Sequence, residues 1–334
     1  MPGRIVVSFP FAPEHLDRMR AAAGPDLSLE VVGSGDQAGL DGAAGPRCVA
    51  LIAGRRPTTT TAAPDLRWQQ ALSAGVEHLL AAGPWPAQVT LTNAKGVYAI
   101  PIAQYVLAAI LRISEGMDAR RALQEERRWP EPVDPYTGVP VRGRTLVVVG
   151  YGGIGRETAR IAAALGMRVI AVTARPERRL DEAVLVPGTG DPDGSIPERI
   201  VGPGGLHAAL AEADFVSMSV PLTPASRGLI DAAALRVMRP GAWIINTGRG
   251  PVIAEADLLA ALHAGLLGGA VLDVFEQEPL PADSPWWTAP NVIVTPHVSG
   301  SDSPGPLCEL VVRNIERFRA GQPLLNTVDP ARGY

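Results

Sequence analysis

The sequence predicts an α/β fold of parallel sheets flanked by helices, arranged as two lobes. Two observations carry that expectation. Short runs of Val, Ile and Leu alternate with alanine-rich helical stretches along the chain, the pattern of strands joined by helical crossovers. At 334 residues with 46% hydrophobic content, the chain is also long and apolar enough for two cores.

Taken in order, residues 4–8 read as a first strand and 15–23 as a helix. Residues 27–32 and 49–53 are two further strands, and 66–70 and 89–92 extend the same small sheet. Residues 58–61 and the Ala-Ala-Pro after them read as a loop. Residues 101–123 read as one long helix, because Pro101 in a first turn lacks only an amide that no helical carbonyl would claim. That helix ends ahead of a proline-rich stretch at 129–140. Residues 146–149 open a second α/β unit, whose first helix is 157–165 with Gly166 near its C-cap. Residues 167–172 form the next strand. The stretch 180–203 is long and rich in Pro, Gly and Asp. With short strands at 184–186 and 199–201, it reads as a surface insertion rather than a cover. Helices at 206–211, 232–238 and 255–264 then alternate with strands at 215–220, 243–246, 269–273 and 292–295. That succession predicts a parallel sheet with helices on both faces. A last helix is expected at 310–320, with Pro304 and Pro306 opposing an earlier start.

Bulk properties exclude several roles. A formal net charge of −4 gives no basic field for nucleic acid. No run of about 18 apolar residues predicts a membrane span. The N-terminus carries Arg4 and a short strand, with no secretory pattern. Cys48 and Cys308 make no motif and read as reduced thiols in the cytoplasm. His15, His78, His207 and His263 show no metal-ligand spacing, so no catalytic metal is expected. Lys95 is the only lysine.

The segment Val147-Val148-Val149-Gly150-Tyr151-Gly152-Gly153-Ile154-Gly155 runs from a strand through G-x-G-x-x-G into a helix. In that context Gly150 serves a tight turn, Gly152 a close approach to a pyrophosphate, and Gly155 helix–strand packing. The helix N-terminus adds amide donors and a favourable dipole. The strand after it ends at Thr173, where a ribose-binding Asp or Glu is usual for NAD. Thr173 removes the repulsion of a 2′-phosphate, and Arg175 is placed to pair with one, with Arg178 and Arg179 behind it. The reading is therefore NAD(P) binding with NADP favoured, the alternative being that these arginines form a solvated face.

Three polar clusters each follow a hydrophobic strand: Asn246-Thr247-Gly248-Arg249-Gly250, Asp273 to Glu278-Pro279, and Thr295-Pro296-His297. Sites of α/β sheets collect at such strand ends. Together with the glycine motif, the chain closely resembles the D-isomer-specific 2-hydroxyacid dehydrogenase family. The resemblance extends through Arg67-Trp68, Ser73-Ala74-Gly75-Val76, Pro221-Leu222-Thr223 and the C-terminal Gly321-Gln322-Pro323-Leu324.

The resemblance implies a bilobed, dimeric enzyme. Residues 1–98 and 297–334 would form a flavodoxin-like substrate domain, and residues 99–296 an inserted cofactor domain, with two chain crossings as a hinge. It also implies reversible reduction of a 2-oxo acid to a D-2-hydroxy acid. Arg249 would bind the substrate carboxylate and polarise the 2-oxo group. His297 would be the acid–base, oriented by Glu278 through charge pairing. Backbone amides at Ala74, Gly75 and Val76 would clamp the carboxylate. Val220, Pro221, Thr247 and Gly248 would line the cofactor, and Asp273 would orient its carboxamide. Asp273 also reads as a cap for local backbone donors. Two departures stand out: Gln104 replaces the family's usual Glu, and Ser219 replaces a frequent His. Trp286 and Trp287 read as ordinary packing. The alternatives are a cofactor-sensing corepressor on the same fold, or a relative acting on another small anion. Glu278 argues against the formate-oxidising branch, which carries Gln there, and Ala74 against the phosphite-oxidising branch, which carries Lys.

Overall fold

The computed structural model describes residues 3–58, 63–131, 138–180, 186–300 and 304–331. They group into two compact units, Met1–Tyr98 with Asp302–Tyr334, and Ala99–Ser301. The expected loop at 59–61 and the first residues of the expected strand at 184–186 lie outside the described residues.

The smaller unit runs β1 (Gly3–Ser8), α1 (Pro13–Ala23), β2 (Leu27–Val31), α2 (Gln37–Ala43), β3 (Cys48–Ala53), β4 (Trp68–Gln70), α3 (Glu77–Leu80) and β5 (Thr90–Thr92). Its sheet is parallel throughout, in the order β2-β1-β3-β4-β5, the flavodoxin-like order. The short helices α2 and α3 were not anticipated. Their sequences, QAGLDGA and EHLL, are too brief to show a helical period. Fully buried Trp68 anchors the sheet: its indole donates to Thr92 Oγ1 at 2.8 Å, and its ring packs 5.6 Å from Phe318.

Phe318 lies on the C-terminal helix Pro304–Arg319, which corrects the expected start at 310. Both prolines fall in its first turn, where a missing N–H leaves no hydrogen bond unmade. Asn314, fully buried, pins this helix by donating to Gln70 Oε1 and the Leu325 carbonyl.

The larger unit contains α4 (Ala99–Ser114), α5 (Met117–Glu125), β6 (Thr145–Val149), α6 (Gly153–Ala164), β7 (Arg168–Val172), β8 (Arg199–Val201), α7 (Leu206–Leu210), β9 (Phe215–Met218), α8 (Ala232–Val237), β10 (Trp243–Asn246), α9 (Glu255–His263), β11 (Gly269–Leu272) and β12 (Val292–Val294). The single helix expected at 101–123 is two. Gly116 adopts φ +59 between α4 and α5, a left-handed turn that ends the first. α6 begins at Gly153, inside the glycine motif and ahead of the expected 157.

The seven strands are parallel, in the order β12-β11-β10-β9-β6-β7-β8. The chain thus works outward from β6 on one side, then returns to place β9 on the other. Between β6 and β9 lies the point where an open sheet of this kind leaves a crevice. The strands are apolar on both faces: Val147, Ile170, Val216 and Ile244 share one core, and Leu146, Val148, Ala171 and Ile245, alternating with them, are buried on the other. Residues 297–301, assigned on sequence to the first lobe, group with this unit, and the His297 amide donates to the Asp273 carbonyl at 2.8 Å.

Among the described residues, no helix is long and apolar enough to cross a membrane, and no group of three or more His, Cys, Asp or Glu is arranged to hold a metal ion.

Candidate active site

The glycine turn sits at the switch between β6 and β9. Its three motif glycines are not placed alike. Gly150 has φ +101, and a Cβ there would lie 2.8 Å from the Ser219 backbone after β9. A Cβ on Gly155 would lie 2.1 Å from the Gly150 carbonyl oxygen. Both are demanded by the chain's own packing. Gly152 is not: its φ of −94 suits any residue, and a Cβ there would meet no atom within 4 Å. Gly152 caps α6, where the first-turn amides of Gly153, Ile154 and Gly155 have no helical acceptor. A turn left open beside free amides and a helix dipole fits a pyrophosphate. Ser219, the departure noted on sequence, donates its hydroxyl to the Gly150 carbonyl at 2.9 Å and so fastens the turn to β9. Tyr151 is buried, with its hydroxyl on Asp191.

Thr173 follows β7, its amide held by the Val201 carbonyl. Arg175 is exposed, and among the described residues no acceptor lies within hydrogen-bond range of its guanidinium. Arg178 is exposed as well, while Arg179 reaches the Gly194 carbonyl at 3.4 Å.

The turn after β10 is built by buried Asn246. Its Oδ1 accepts from the Gly248 amide and its Nδ2 donates to the Arg249 carbonyl, both at 3.1 Å. Thr247, also buried, donates its hydroxyl to the Met218 carbonyl. Gly248 passes against Val220, where a Cβ would come 3.0 Å from the Val220 carbonyl. The Pro221 carbonyl accepts from the Ser226 hydroxyl at 2.6 Å. Arg249 is half-buried, with Nη1 donating to the Gly248 carbonyl at 2.7 Å. Gly250 then runs so close to Phe275 that a Cβ would lie 2.0 Å from its carbonyl carbon. That contact sets the Arg249 turn directly against the segment carrying Glu278.

Glu278 accepts from the Phe275 amide through Oε1, and its Oε2 lies 2.7 Å from His297 Nδ1. A carboxylate only accepts, so Nδ1 carries the hydrogen of this pair and Nε2 is left for other chemistry. The side chains are 47% and 33% exposed, open to a small molecule. His297 has φ +55, a left-handed conformation in which histidine is enriched.

Asp273 holds that conformation. The sequence reading offered it both a cofactor contact and a capping role, and the capping contacts are explicit. It is fully buried, Oδ1 accepting from Thr295 Oγ1 at 2.6 Å and the Val298 amide at 2.9 Å, Oδ2 from the Ser299 amide at 2.9 Å. Thr295 gives its hydrogen to Asp273, so the Tyr105 phenol donates to Thr295 Oγ1 at 2.6 Å. Burial raises the Tyr105 pKa, and the Asp273 charge adds to that, which keeps the phenol a donor. Trp286 is buried beside Phe275 and bonds Glu255, while Trp287 is half exposed. Neither Tyr105, Thr295 nor Asn246 was given a site role from sequence. Tyr105 and Thr295 work through partners far along the chain that the local pattern does not reveal, whereas Asn246 acts within its own turn.

In the smaller unit, the carbonyls of residues 72–76 are all engaged. Leu72 accepts from the Tyr98 hydroxyl, Ser73 from the Ala94 amide, Ala74 from Asn93 Nδ2, Gly75 from Ser73 Oγ and Val76 from the Leu79 amide. Among the described residues, none accepts from the amides of Ala74, Gly75 or Val76. These three donors are left for another acceptor.

Residues 107–299 match the family model described as D-isomer specific 2-hydroxyacid dehydrogenase, NAD binding domain. The chain is 35% identical to an (S)-sulfolactate dehydrogenase of Chromohalobacter salexigens, over 76% of this chain and 78% of that one. It is 31% identical to a glyoxylate reductase of Thermofilum pendens, over 78% and 74%. Among solved structures it resembles an NADPH-dependent glyoxylate/hydroxypyruvate reductase of Sinorhizobium meliloti in complex with NADP and sulfate, at a TM-score of 0.79, 30% identity, and 99% and 100% coverage. A family protein from Aeromonas salmonicida matches at a TM-score of 0.81 and 32% identity, covering 99% and 100%.

Replacing Thr295 by Val keeps its shape but strips one donor from buried Asp273. The expected cost is about 1–3 kcal/mol, read as a lower urea midpoint; an unchanged midpoint would remove Thr295 from this network.

Proposed function

The chain belongs to the D-isomer specific 2-hydroxyacid dehydrogenase family, and on that basis we propose that Arg249, Glu278 and His297 carry the family's reaction here. That reaction is the NAD(P)H-dependent reduction of a 2-oxo acid to a D-2-hydroxy acid. The observation supporting the assignment best is the Glu278–His297 pair, an acid–base group already oriented by a held carboxylate.

The Arg249 fork binds the substrate carboxylate and draws electron density from the 2-oxo oxygen. In the smaller unit, the amides of Ala74, Gly75 and Val76 are proposed as donors to a substrate carboxylate. When bound, the reduced nicotinamide supplies a hydride to C2. His297 in its imidazolium form gives the Nε2 proton to the oxygen that becomes the hydroxyl. Glu278 stabilises the imidazolium and keeps Nδ1 protonated as Nε2 empties. In the oxidative direction Nε2 takes the proton back.

The turn at Gly150, Gly152, Gly153, Ile154 and Gly155, with the main chain of Tyr151, is the proposed pyrophosphate seat. Val220, Pro221, Thr247 and Gly248 line the sheet end beside it. Asp273 acts by bracing His297, and a carboxamide contact would have to use what acceptor capacity its three bonds leave. NADP is the favoured form: Thr173 brings no negative charge, and the Arg175 guanidinium has no acceptor among the described residues. We read the protein as a cytoplasmic homodimer. Cys48 and Cys308 are buried free thiols, which suits a reducing compartment.

A panel of 2-oxo acids offered with NADPH and with NADH tests class, substrate and preference together. Oxidation of NADPH by at least one small 2-oxo acid is expected, and none with either cofactor would overturn the enzymatic reading. His297→Asn should lower kcat by about 10²–10⁴ with cofactor affinity retained; wild-type turnover would end the acid–base assignment. Arg175→Ala should weaken NADPH by roughly tenfold and leave NADH within twofold, whereas equal effects would assign the arginine no part in the choice.

A further inference from the structure

The stretch read on sequence as a surface insertion is not loosely attached where it is described. Residues 186–198 lead back to β8, and Asp191 in their middle is 2% exposed. Asp191 Oδ1 accepts from the Ser195 amide at 3.0 Å and Oδ2 from the Ile196 amide at 3.2 Å, so the carboxylate first closes its own turn. Oδ2 also accepts from the hydroxyl of Tyr151, the first variable residue of the glycine motif. The Asp191 carbonyl accepts from Nη1 of Arg156, the residue after Gly155. The Arg156 guanidinium lies 4.7 Å over the Tyr151 ring. One residue earlier, the Gly190 amide donates to Glu157 Oε2 at 2.6 Å, and Glu157 is 1% exposed. Three consecutive-turn positions of the cofactor loop and its helix, Tyr151, Arg156 and Glu157, are thus held by two residues of a segment far along the chain.

We propose that Asp191 is a positioning residue for the cofactor: by pinning Tyr151 and Arg156 from behind, it fixes the glycine turn whose outer face binds the pyrophosphate. The inference rests on the cofactor reading above. Asp191 itself is buried on the chain side of the turn and acts only through Tyr151 and Arg156. Tyr151 stays a neutral phenol, since burial and the adjacent carboxylate both raise its pKa. Its hydroxyl is therefore a permanent donor to Asp191. A buried carboxylate that loses such a donor must move or take a substitute, and either response displaces the turn. Because the pyrophosphate is common to both cofactors, the dependence on Asp191 is the same for NADPH and NADH. That separates it from Arg175, which acts on the 2′-phosphate alone.

The test titrates NADPH and NADH separately into the whole enzyme and its variants Asp191→Asn, Tyr151→Phe and the double variant, followed by nicotinamide fluorescence, with kcat and KM measured in parallel. Each single variant should raise Kd for both cofactors by about the same factor, roughly tenfold. KM for the cofactor should rise in step, while kcat at saturating cofactor falls much less. The double variant should be no worse than the poorer single one, as expected of two partners in one bond. Tyr151→Phe removes only a hydroxyl and keeps the test open if Asp191→Asn does not fold. Kd values within twofold of wild type for both cofactors would overturn the proposal, whatever happens to the melting temperature. So would a loss confined to NADPH, or additive losses in the double variant. The wild-type titration separates the two levels: absence of binding by either dinucleotide removes the cofactor reading and this inference with it, whereas normal wild-type binding with indifferent variants removes Asp191 alone.

Discussion

The buried carboxylate of Asp273 organises the catalytic end of the larger unit. A carboxylate out of water is tolerable only when its oxygens are satisfied, and the chain satisfies this one with the Thr295 hydroxyl and the amides of Val298 and Ser299. Those donors can reach it only if the backbone turns sharply at His297, which accounts for the left-handed conformation there. Strain of that kind, of order 1–3 kcal/mol, persists where surroundings over-determine it. The turn carries the imidazole to Glu278, itself held by Phe275. The geometry of the proposed acid–base pair is therefore set one layer beneath it.

The same economy recurs along the sheet. Asn246 shapes the Arg249 turn with both ends of one amide, and Ser219 ties the glycine turn to the neighbouring strand. In each case a short polar side chain at or just past a strand end bonds the backbone of the turn that follows or faces it. Parallel strands make this possible, because their C-terminal ends lie together and each is followed by a turn whose amides need partners.

Much of this was legible in the sequence. The strand–turn–helix at Val147 to Gly155 and the ordered Arg249, Glu278 and His297 pointed to the fold and the site together. What escaped was long-range pairing. Tyr105 and Thr295 meet across 190 residues, and Tyr151 and Asp191 across 40; periodicity distinguishes inside from outside but not which buried polar group meets which. Two local readings failed for identifiable reasons. The single helix expected over 101–123 runs through Gly116, which supplies a left-handed break, and Pro304 with Pro306 were treated as obstacles when a first turn accommodates both.

The loop at residues 72–76 has a consequence for how such a protein can change. Every carbonyl there is claimed from within, and the donors left over belong to the main chain. Nineteen of the twenty amino acids supply the same N–H; proline alone withholds it. If these amides hold the carboxylate common to all 2-oxo acids, substitutions at Ala74, whose side chain is exposed, can alter the accepted substrate while that grip survives. On the proposed reading, recognition of the shared group is insulated from mutation, and divergence is channelled into the part of the substrate that varies.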